Sequence, residues 1–291
     1  MVKAAIVGAG AIGCACAAAL QTREDVDLTL CARRRDVPDR VRLSGGEEVP
    51  LRAAVEVDPA AVEAVDWLLL AVKAHQTEGA ARWLAALAGR ATTVVVLQNG
   101  VHRAEAVAPL ADGAEVLQAI VWIGATVADG AVQVGRSPFV RVADDGAGRA
   151  FAELLAPTWL RAEATPDILT DAWRKLTLNA VAGLMALSGR PAAMFRRADV
   201  LELARVYARE CAAVARADGA GISPEEGDSL ADMLAAAPPE MTTSILVDRR
   251  RDAELEWEAR NGVVRELGAR YGVPTPVSDV VVPLLAAASG S

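Results

Sequence analysis

Near the N-terminus, Gly8-Ala9-Gly10-Ala11-Ile12-Gly13 has the spacing that wraps main chain around a pyrophosphate. Gly8 permits a tight turn, Gly10 lets the backbone approach the phosphates, and Gly13 lets the next helix pack closely on the strand before it. The N–H groups that open that helix, from Ala11 and Ile12 onward, then face the anion. A glycine turn without a ligand is the plainer alternative. It is disfavoured because three glycines at this spacing lower helix propensity. Sites for NAD place Asp or Glu at the end of the second strand, ~20 residues further on, to bond the ribose 2′-hydroxyl. Here that strand ends Cys31-Ala32-Arg33-Arg34-Arg35, with no acid at its tip. A guanidinium pairs with a 2′-phosphate where a carboxylate repels it, so the cluster predicts NADP(H). Arg33 is the first choice of partner and Arg34 the second; a solvated basic turn is the alternative.

Two more segments fall just past strand ends, where open α/β sheets bind ligands. One is Ala71-Val72-Lys73-Ala74-His75-Gln76-Thr77, and the other is Leu97-Gln98-Asn99-Gly100-Val101. Lys73 can sit near a cofactor phosphate or ribose. Asn99 can orient the nicotinamide ribose or the substrate. For either residue alone, capping a polar loop is an equal reading. His75 and His102 are the only histidines and read as loop residues. The cysteines Cys14, Cys16, Cys31 and Cys211 fit no common zinc spacing and read as reduced, buried thiols, so no metal site is suggested.

The elements that must position these residues alternate. Ala4 to Val7, Val26 to Cys31, Trp67 to Val72 and Thr92 to Leu97 read as apolar strands. Helical patterns run from Ala11 to Gln21 and from Glu78 to Leu87. That texture predicts a parallel sheet covered on both faces. Val116–Gly124, Ala131–Gly135 and Phe139–Val142 read as further strands extending the sheet at its edge, with turns at Asp129-Gly130 and Ser137-Pro138. A helix near Gly148 to Leu155 and a strand near Trp159 to Ala162 close the domain. After Thr165-Pro166 the pattern is helical, with helices over Asp171 to Leu187, Val200 to Ala217, Ala253 to Tyr271 and Val277 to Ala288. The prediction is an α/β dinucleotide-binding domain over residues 1–165 and an all-α domain over residues 166–291.

Bulk properties agree. At 291 residues, 53% hydrophobic and 23% charged, the chain supports two domains with substantial cores. Its net charge of -8 disfavours nucleic acid as a partner. No segment reaches the ~18 uninterrupted apolar residues of a membrane span, and no cleavable leader pattern opens the chain, so a cytoplasmic location is expected.

The ordered set of GAGAIG, VKAHQT, LQNGV, WRKLTLN and TTSILVD…LEWEARNG covers nearly the whole chain. Together these motifs resemble the ketopantoate reductase (2-dehydropantoate 2-reductase) family. The resemblance implies a Rossmann domain followed by a helical domain like that of 6-phosphogluconate dehydrogenase, with NADPH and a 2-keto acid meeting in the cleft between them. It also implies a catalytic lysine at Lys175, with Glu256 as the acid ahead of Asn261-Gly262. Asn179, Ser244 and Asn99 match substrate-binding positions, and Lys73 matches the lysine of the VKA segment. Lys175 and Asn179 are four apart, hence on one helix face. An ammonium there can stabilise charge growing on a keto oxygen and supply the proton. Duller readings are a surface lysine at 175, a helix cap at Ser244, and a solvated acidic face for Glu256 among Asp252, Glu254 and Glu258.

One departure stands out. The family's second helix asparagine falls at Gly183 here, which predicts a lost hydrogen bond, extra space, and a bulkier or less polar substrate. Three functions follow. The first is NADPH-dependent reduction of ketopantoate to pantoate. The second is the same hydride chemistry on another 2-keto acid or carbonyl compound. The third is a non-catalytic NADP-binding sensor. A homodimer is compatible with an apolar Val277–Ala288 tail, which can equally pack on its own domain.

Overall fold

The computed structural model describes residues 1–290 and divides into two compact units, Met1–Ile168 and a second from Leu169 on. The first unit opens with β1 (Val2–Val7), α1 (Ala11–Leu20), β2 (Val26–Cys31), β3 (Arg40–Leu43), β4 (Glu48–Pro50) and β5 (Ala54–Glu56). It continues with β6 (Trp67–Leu70), α2 (Ala81–Leu87), β7 (Thr93–Val96), α3 (Arg103–Val107) and β8 (Glu115–Gln118). The central sheet has the order β5-β2-β1-β6-β7-β8, and its neighbouring strands all pair in parallel.

Strand residues alternate between two cores, as the pleat requires. Ala4, Ile6, Leu69 and Val95 join α1 on one face. On the other, Ala5, Val7, Leu68, Leu70, Val94 and Val96 join Trp83, Leu84 and Leu87 of α2. Both faces are covered, which explains the continuous apolar runs that read as strands. Chain order reverses beside β1, with β2 on one side and β6 on the other. Such a switch point opens a crevice at the carboxyl ends of the strands.

The remainder of this unit comprises β9 (Ile120–Trp122), β10 (Ala125–Ala128), β11 (Ala131–Val134), β12 (Phe139–Ala143), α4 (Gly146–Leu155) and β13 (Arg161–Thr165). These strands do not extend the central sheet. The run expected as one strand over Val116–Gly124 is broken at Ala119, so β8 edges the central sheet while β9 joins β12 and β13 in a three-stranded sheet. A separate four-stranded sheet, β10-β11-β3-β4, includes two short strands whose half-buried residues gave no apolar run to read. Helix α1 is buried from Gly13 to Leu20 and packs on both the central and the four-stranded sheets, so only small residues fit between them. Burial there pushes the Cys14 and Cys16 thiols up to about 12, which keeps them protonated and inert.

The second unit is helical: α5 (Ile168–Ser188), α6 (Ala198–Ala217), α7 (Pro224–Ala236), α8 (Ser244–Arg250), α9 (Val263–Tyr271) and α10 (Pro276–Ala288). The helix expected over Ala253 to Tyr271 is not continuous. Residues 253–256 carry no regular secondary structure, a π-helical turn spans Glu258–Gly262, and only then does α9 begin. Gly272 ends α9 in the left-handed conformation, φ 68°, just past the end expected at Tyr271. Helix α10 buries Val281, Val282 and Leu285 and leaves Val280 and Leu284 exposed. Among the described residues, no helix is long and apolar enough to cross a membrane.

Candidate active site

At the carboxyl ends of β1, β2 and β6 lies a cavity of about 1010 Å³. Its walls include Gly8 and Gly10 after β1, Arg33 and Arg34 after β2, and Val72 and Lys73 after β6. The register sets this shape. Gly8 N–H donates to the Cys31 carbonyl (2.9 Å) and Ala71 N–H to that of Val7 (2.8 Å), so the three strands end level.

Gly8 and Gly13 take the structural roles their spacing predicted. Gly8 has φ +113°, and a Cβ there would lie 2.8 Å from the Val72 nitrogen. A Cβ at Gly13 would lie 1.8 Å from the Gly8 carbonyl oxygen, so Gly13 serves helix–strand packing. Gly10 has nothing within 4 Å of its would-be Cβ, and it opens α1 without a side-chain cap. Its open side is the one a phosphate can approach. Ala11, Ile12 and Gly13 stand behind it and do not line the cavity. What Ala11 and Ile12 offer is backbone N–H at the helix start.

Arg33 and Arg34 are both exposed on the cavity wall. Arg35 is not on that wall; it donates to the Val55 carbonyl at 2.7 Å and lies 3.5 Å from Glu56. Asp36 and His75 also line the cavity. His75 sits on a short 3-10 turn, Ala74–Gln76, rather than in a free loop, and Lys73 caps that turn. Asn99 follows β7, is half-buried, and is not on the cavity wall. Its loop is tied to the one after β6: Gln98 Nε2 donates to Thr77 Oγ1 (2.9 Å), and Arg103 Nη2 donates to Gln98 Oε1 (2.8 Å).

The second unit gathers the other residues. Helix α5 anchors itself through buried Trp173, whose indole donates to Asp218 Oδ2 at 2.7 Å, and through Leu176 and Ala180. Lys175 and Asn179 lie one turn apart on its half-buried edge. Ser244 is the first residue of α8, is exposed, and makes no cap. Its Oγ instead accepts from Arg260 Nη1 at 2.9 Å. Glu256 is 8% exposed, whereas Glu254 and Glu258 face solvent, so it does not belong to a solvated acidic face.

Arg260 was hidden in the sequence by the charged run around it. It is 1% exposed and binds two of the expected site residues. Besides Ser244, its Nη2 donates to Asn179 Oδ1 (3.2 Å) and to the Asn179 carbonyl (3.4 Å). The π turn explains how adjacent residues can both be buried. Asn261 points to α5 and α6 and donates to the Ala180 carbonyl and to Tyr207 Oη, both at 2.9 Å.

That placement corrects the expectation for Gly183. No extra space lies beside it. A Cβ at 183 would meet Asn261 Nδ2 at 2.8 Å and Leu285 Cδ1 at 3.2 Å. Gly183 is the gap that a fully buried asparagine from the π turn fills, so it gives no reason to expect a bulkier substrate.

The cluster is electrostatically tuned. Withdrawal from water pulls the Lys175 ammonium down from its ordinary 10.5 to about 7; the Arg260 guanidinium adds repulsion and Glu256 opposes both. Burial also lowers Arg260, with Glu256 and Asp248 countering. A lysine near 7 can give or take a proton at neutral pH.

The ketopantoate reductase PanE/ApbA family model matches residues 4–140, and its C-terminal counterpart matches residues 167–289. The 2-dehydropantoate 2-reductase of Mycobacterium tuberculosis is 42% identical over 98% of this chain and 97% of its own. That of Caulobacter vibrioides is 35% identical over 99% and 100%. Among solved structures, a family ketopantoate reductase from Ralstonia eutropha superposes with a TM-score of 0.88 at 26% identity over 98% of both chains. The 2-dehydropantoate 2-reductase of Geobacter metallireducens gives 0.90 at 24% identity over 99% of this chain and 100% of its own. D-mandelate dehydrogenase with NADH gives 0.88 at 21% over 98% and 97%, a likeness of fold. With its two family domains in order and full-length relatives this similar, the chain belongs to the ketopantoate reductase PanE/ApbA family.

Proposed function

We propose that this oxidoreductase reduces a 2-keto acid to the 2-hydroxy acid with NADPH, with 2-dehydropantoate as substrate and pantoate as product. Residues 1–165 carry the cofactor and residues 166–291 the substrate. The observation that carries the reading is the cluster on the second unit: Lys175 and Asn179 one turn apart on α5, with Asn179 and Ser244 tied together by buried Arg260.

The residues present fit a dinucleotide. Gly8 and Gly10, with the N–H groups opening α1 at Ala11, Ile12 and Gly13, would hold the pyrophosphate. Arg33 would pair the 2′-phosphate, with Arg34 beside it. Lys73 and Asn99 would bond phosphate or ribose, and Asn99 can also reach substrate. The reduced nicotinamide, when bound, supplies the hydride. Lys175 stabilises the charge growing on the keto oxygen and donates its Nζ proton there, which balances the reduction as one hydride to carbon and one proton to oxygen. Glu256 is its acidic counterpart and can bond the product hydroxyl. Ser244 and Asn179 hold the substrate's other polar groups. Protonated Lys175, Arg260 and Glu256 sum to one positive charge, which a substrate carboxylate neutralises.

The test is NADPH oxidation with 2-dehydropantoate, wild type beside Lys175→Ala. Loss of a positioned general acid lowers kcat by about 10²–10⁴-fold. Tight NADPH binding with no turnover of any 2-keto acid would instead favour a sensor. Pairing of two chains belongs to the same proposal. Val280 and Leu284 of α10 are exposed, and the Staphylococcus aureus ketopantoate reductase is described as dimeric. A monomer mass in sedimentation at working concentration removes that part.

A further inference from the structure

Arg260 is a costly residue to bury. A guanidinium withdrawn from water needs partners, and an apolar side chain would fill the same volume without that need. At 1% exposure it cannot touch substrate. It lies behind two side chains that can, the exposed Ser244 and the half-buried Asn179. We propose that Arg260 is a positioning residue that turns Ser244 and Asn179 into hydrogen-bond donors for the substrate carboxylate, and so selects anionic 2-keto acids over neutral carbonyl compounds.

The donor arithmetic carries this. Arg260 has N–H groups only. By donating to Ser244 Oγ at 2.9 Å, it fills an acceptor site on that hydroxyl and leaves the hydroxyl proton to be given outward. By donating to Asn179 Oδ1 at 3.2 Å, it holds the amide oxygen on the arginine's side, so that the amide's other end is the N–H donor. Two donors backed by a fixed positive charge suit a carboxylate and waste nothing on an ester or ketone. Lys175, one turn before Asn179 on α5, is the group assigned to the keto oxygen under the proposed function. The Arg260 Nε has no hydrogen-bond partner, so the group is held for its fork and its charge, not for full pairing.

This inference rests on the 2-keto acid reading, and its test separates the two. Wild type, Arg260→Met and Arg260→Lys are compared on 2-dehydropantoate and on its neutral methyl ester, with thermal melts as the control for folding. Arg260→Met is expected to raise KM for the acid about tenfold or more and to leave KM for the ester unchanged, while kcat on both compounds follows the shifted Lys175. Arg260→Lys keeps the charge, loses the fork and falls between. A second readout needs no substrate. Lys3, Lys73 and Lys175 are the chain's only lysines, so ¹³C-lysine NMR can follow Lys175 directly. Its midpoint, near 7 in wild type, is expected to rise by about one pH unit in Arg260→Met and to stay in Arg260→Lys. An unchanged acid-over-ester preference in folded Arg260→Met overturns the proposal; where that variant does not fold, the same result in Arg260→Lys overturns it. Wild type inactive on both compounds sinks the 2-keto acid reading instead, and the lysine titration then decides whether Arg260 acts on Lys175.

Discussion

Lys175 has a folded-state value of about 7 against an ordinary 10.5, and two outcomes follow with definite sign. In its proposed role as the acid in reduction it must be protonated, so the turnover rate is expected to fall as pH rises through about 7, and the reverse oxidation to rise over the same range. Stability runs with the same group. The fold disfavours the ammonium, so the penalty is complete below about 7, shrinks as pH rises, and is gone above 10.5. Lys175→Met should therefore melt higher than wild type, by more at pH 6 than at pH 9; an equal gap at both would show the lysine is not so shifted. At Gly183 a methyl gains about 1 kcal/mol of helix propensity but overpacks the buried Asn261 amide at a cost of about 1–3 kcal/mol. Gly183→Ala is expected to lower the melting temperature, and Gly183→Asn to lower it further without improving turnover. The pair Lys175 and Asn179 was legible because a helical spacing of four puts both on one face whatever surrounds them. Arg260 was not, because its type and its charged neighbours describe a solvated helix face, and burial is decided by elements far away in sequence. Gly183 misled for the same reason: a glycine can mark a void or the seat of another side chain.

Elements explain which residues reach the cluster. Alternation and strand-end glycines made the central sheet readable, since β1, β2, β6 and β7 are buried on both faces. Strands β3, β4 and β10 are short and half-exposed, and their pairing into a second sheet is a long-range choice that no local pattern records. The π turn over Glu258–Gly262 was likewise illegible: its period breaks what a continuous helix over Ala253 to Tyr271 would need. Its effect is to bury Arg260 and Asn261 together, which a regular helix, turning ~100° per residue, would resist. Helix α10 depends on a side chain from elsewhere. Buried Glu210 of α6 accepts from the N–H groups of Val277 (2.7 Å) and Ser278 (2.9 Å) and from the Ser278 hydroxyl (2.6 Å), so it caps α10 from a neighbouring helix. Glu210→Ala strands those donors and should cost about 3 kcal/mol in denaturant unfolding, with NADPH affinity unchanged. Glu210→Gln, which keeps one oxygen, should cost less; equal losses would mean the site serves packing alone.

At the scale of the whole molecule, an acidic chain of net charge -8 must recruit a polyanionic cofactor against its own mean field. Local charge has to do this, and Arg33 and Arg34 stand exposed on the cavity wall while Arg35 is occupied with β5. The fold itself does not choose between cofactors: D-mandelate dehydrogenase shares it and is described with NADH. The proposed preference for NADPH would therefore reside in side chains that meet a 2′-phosphate, and a guanidinium is the group that pairs with it. Replacing Arg33 and Arg34 by alanine should weaken NADPH by about tenfold, read as the dissociation constant by fluorescence titration, and should leave NADH almost unmoved. Exposed ion pairs are screened over about 8 Å at physiological ionic strength. Raising salt should accordingly erode NADPH affinity in wild type more than in the double variant. Equal losses for the two cofactors would place the arginines on the shared pyrophosphate or on the protein's own surface, and the discrimination would then have to come from Asp36, Lys73 and Glu78, the other formally charged residues on the cavity wall.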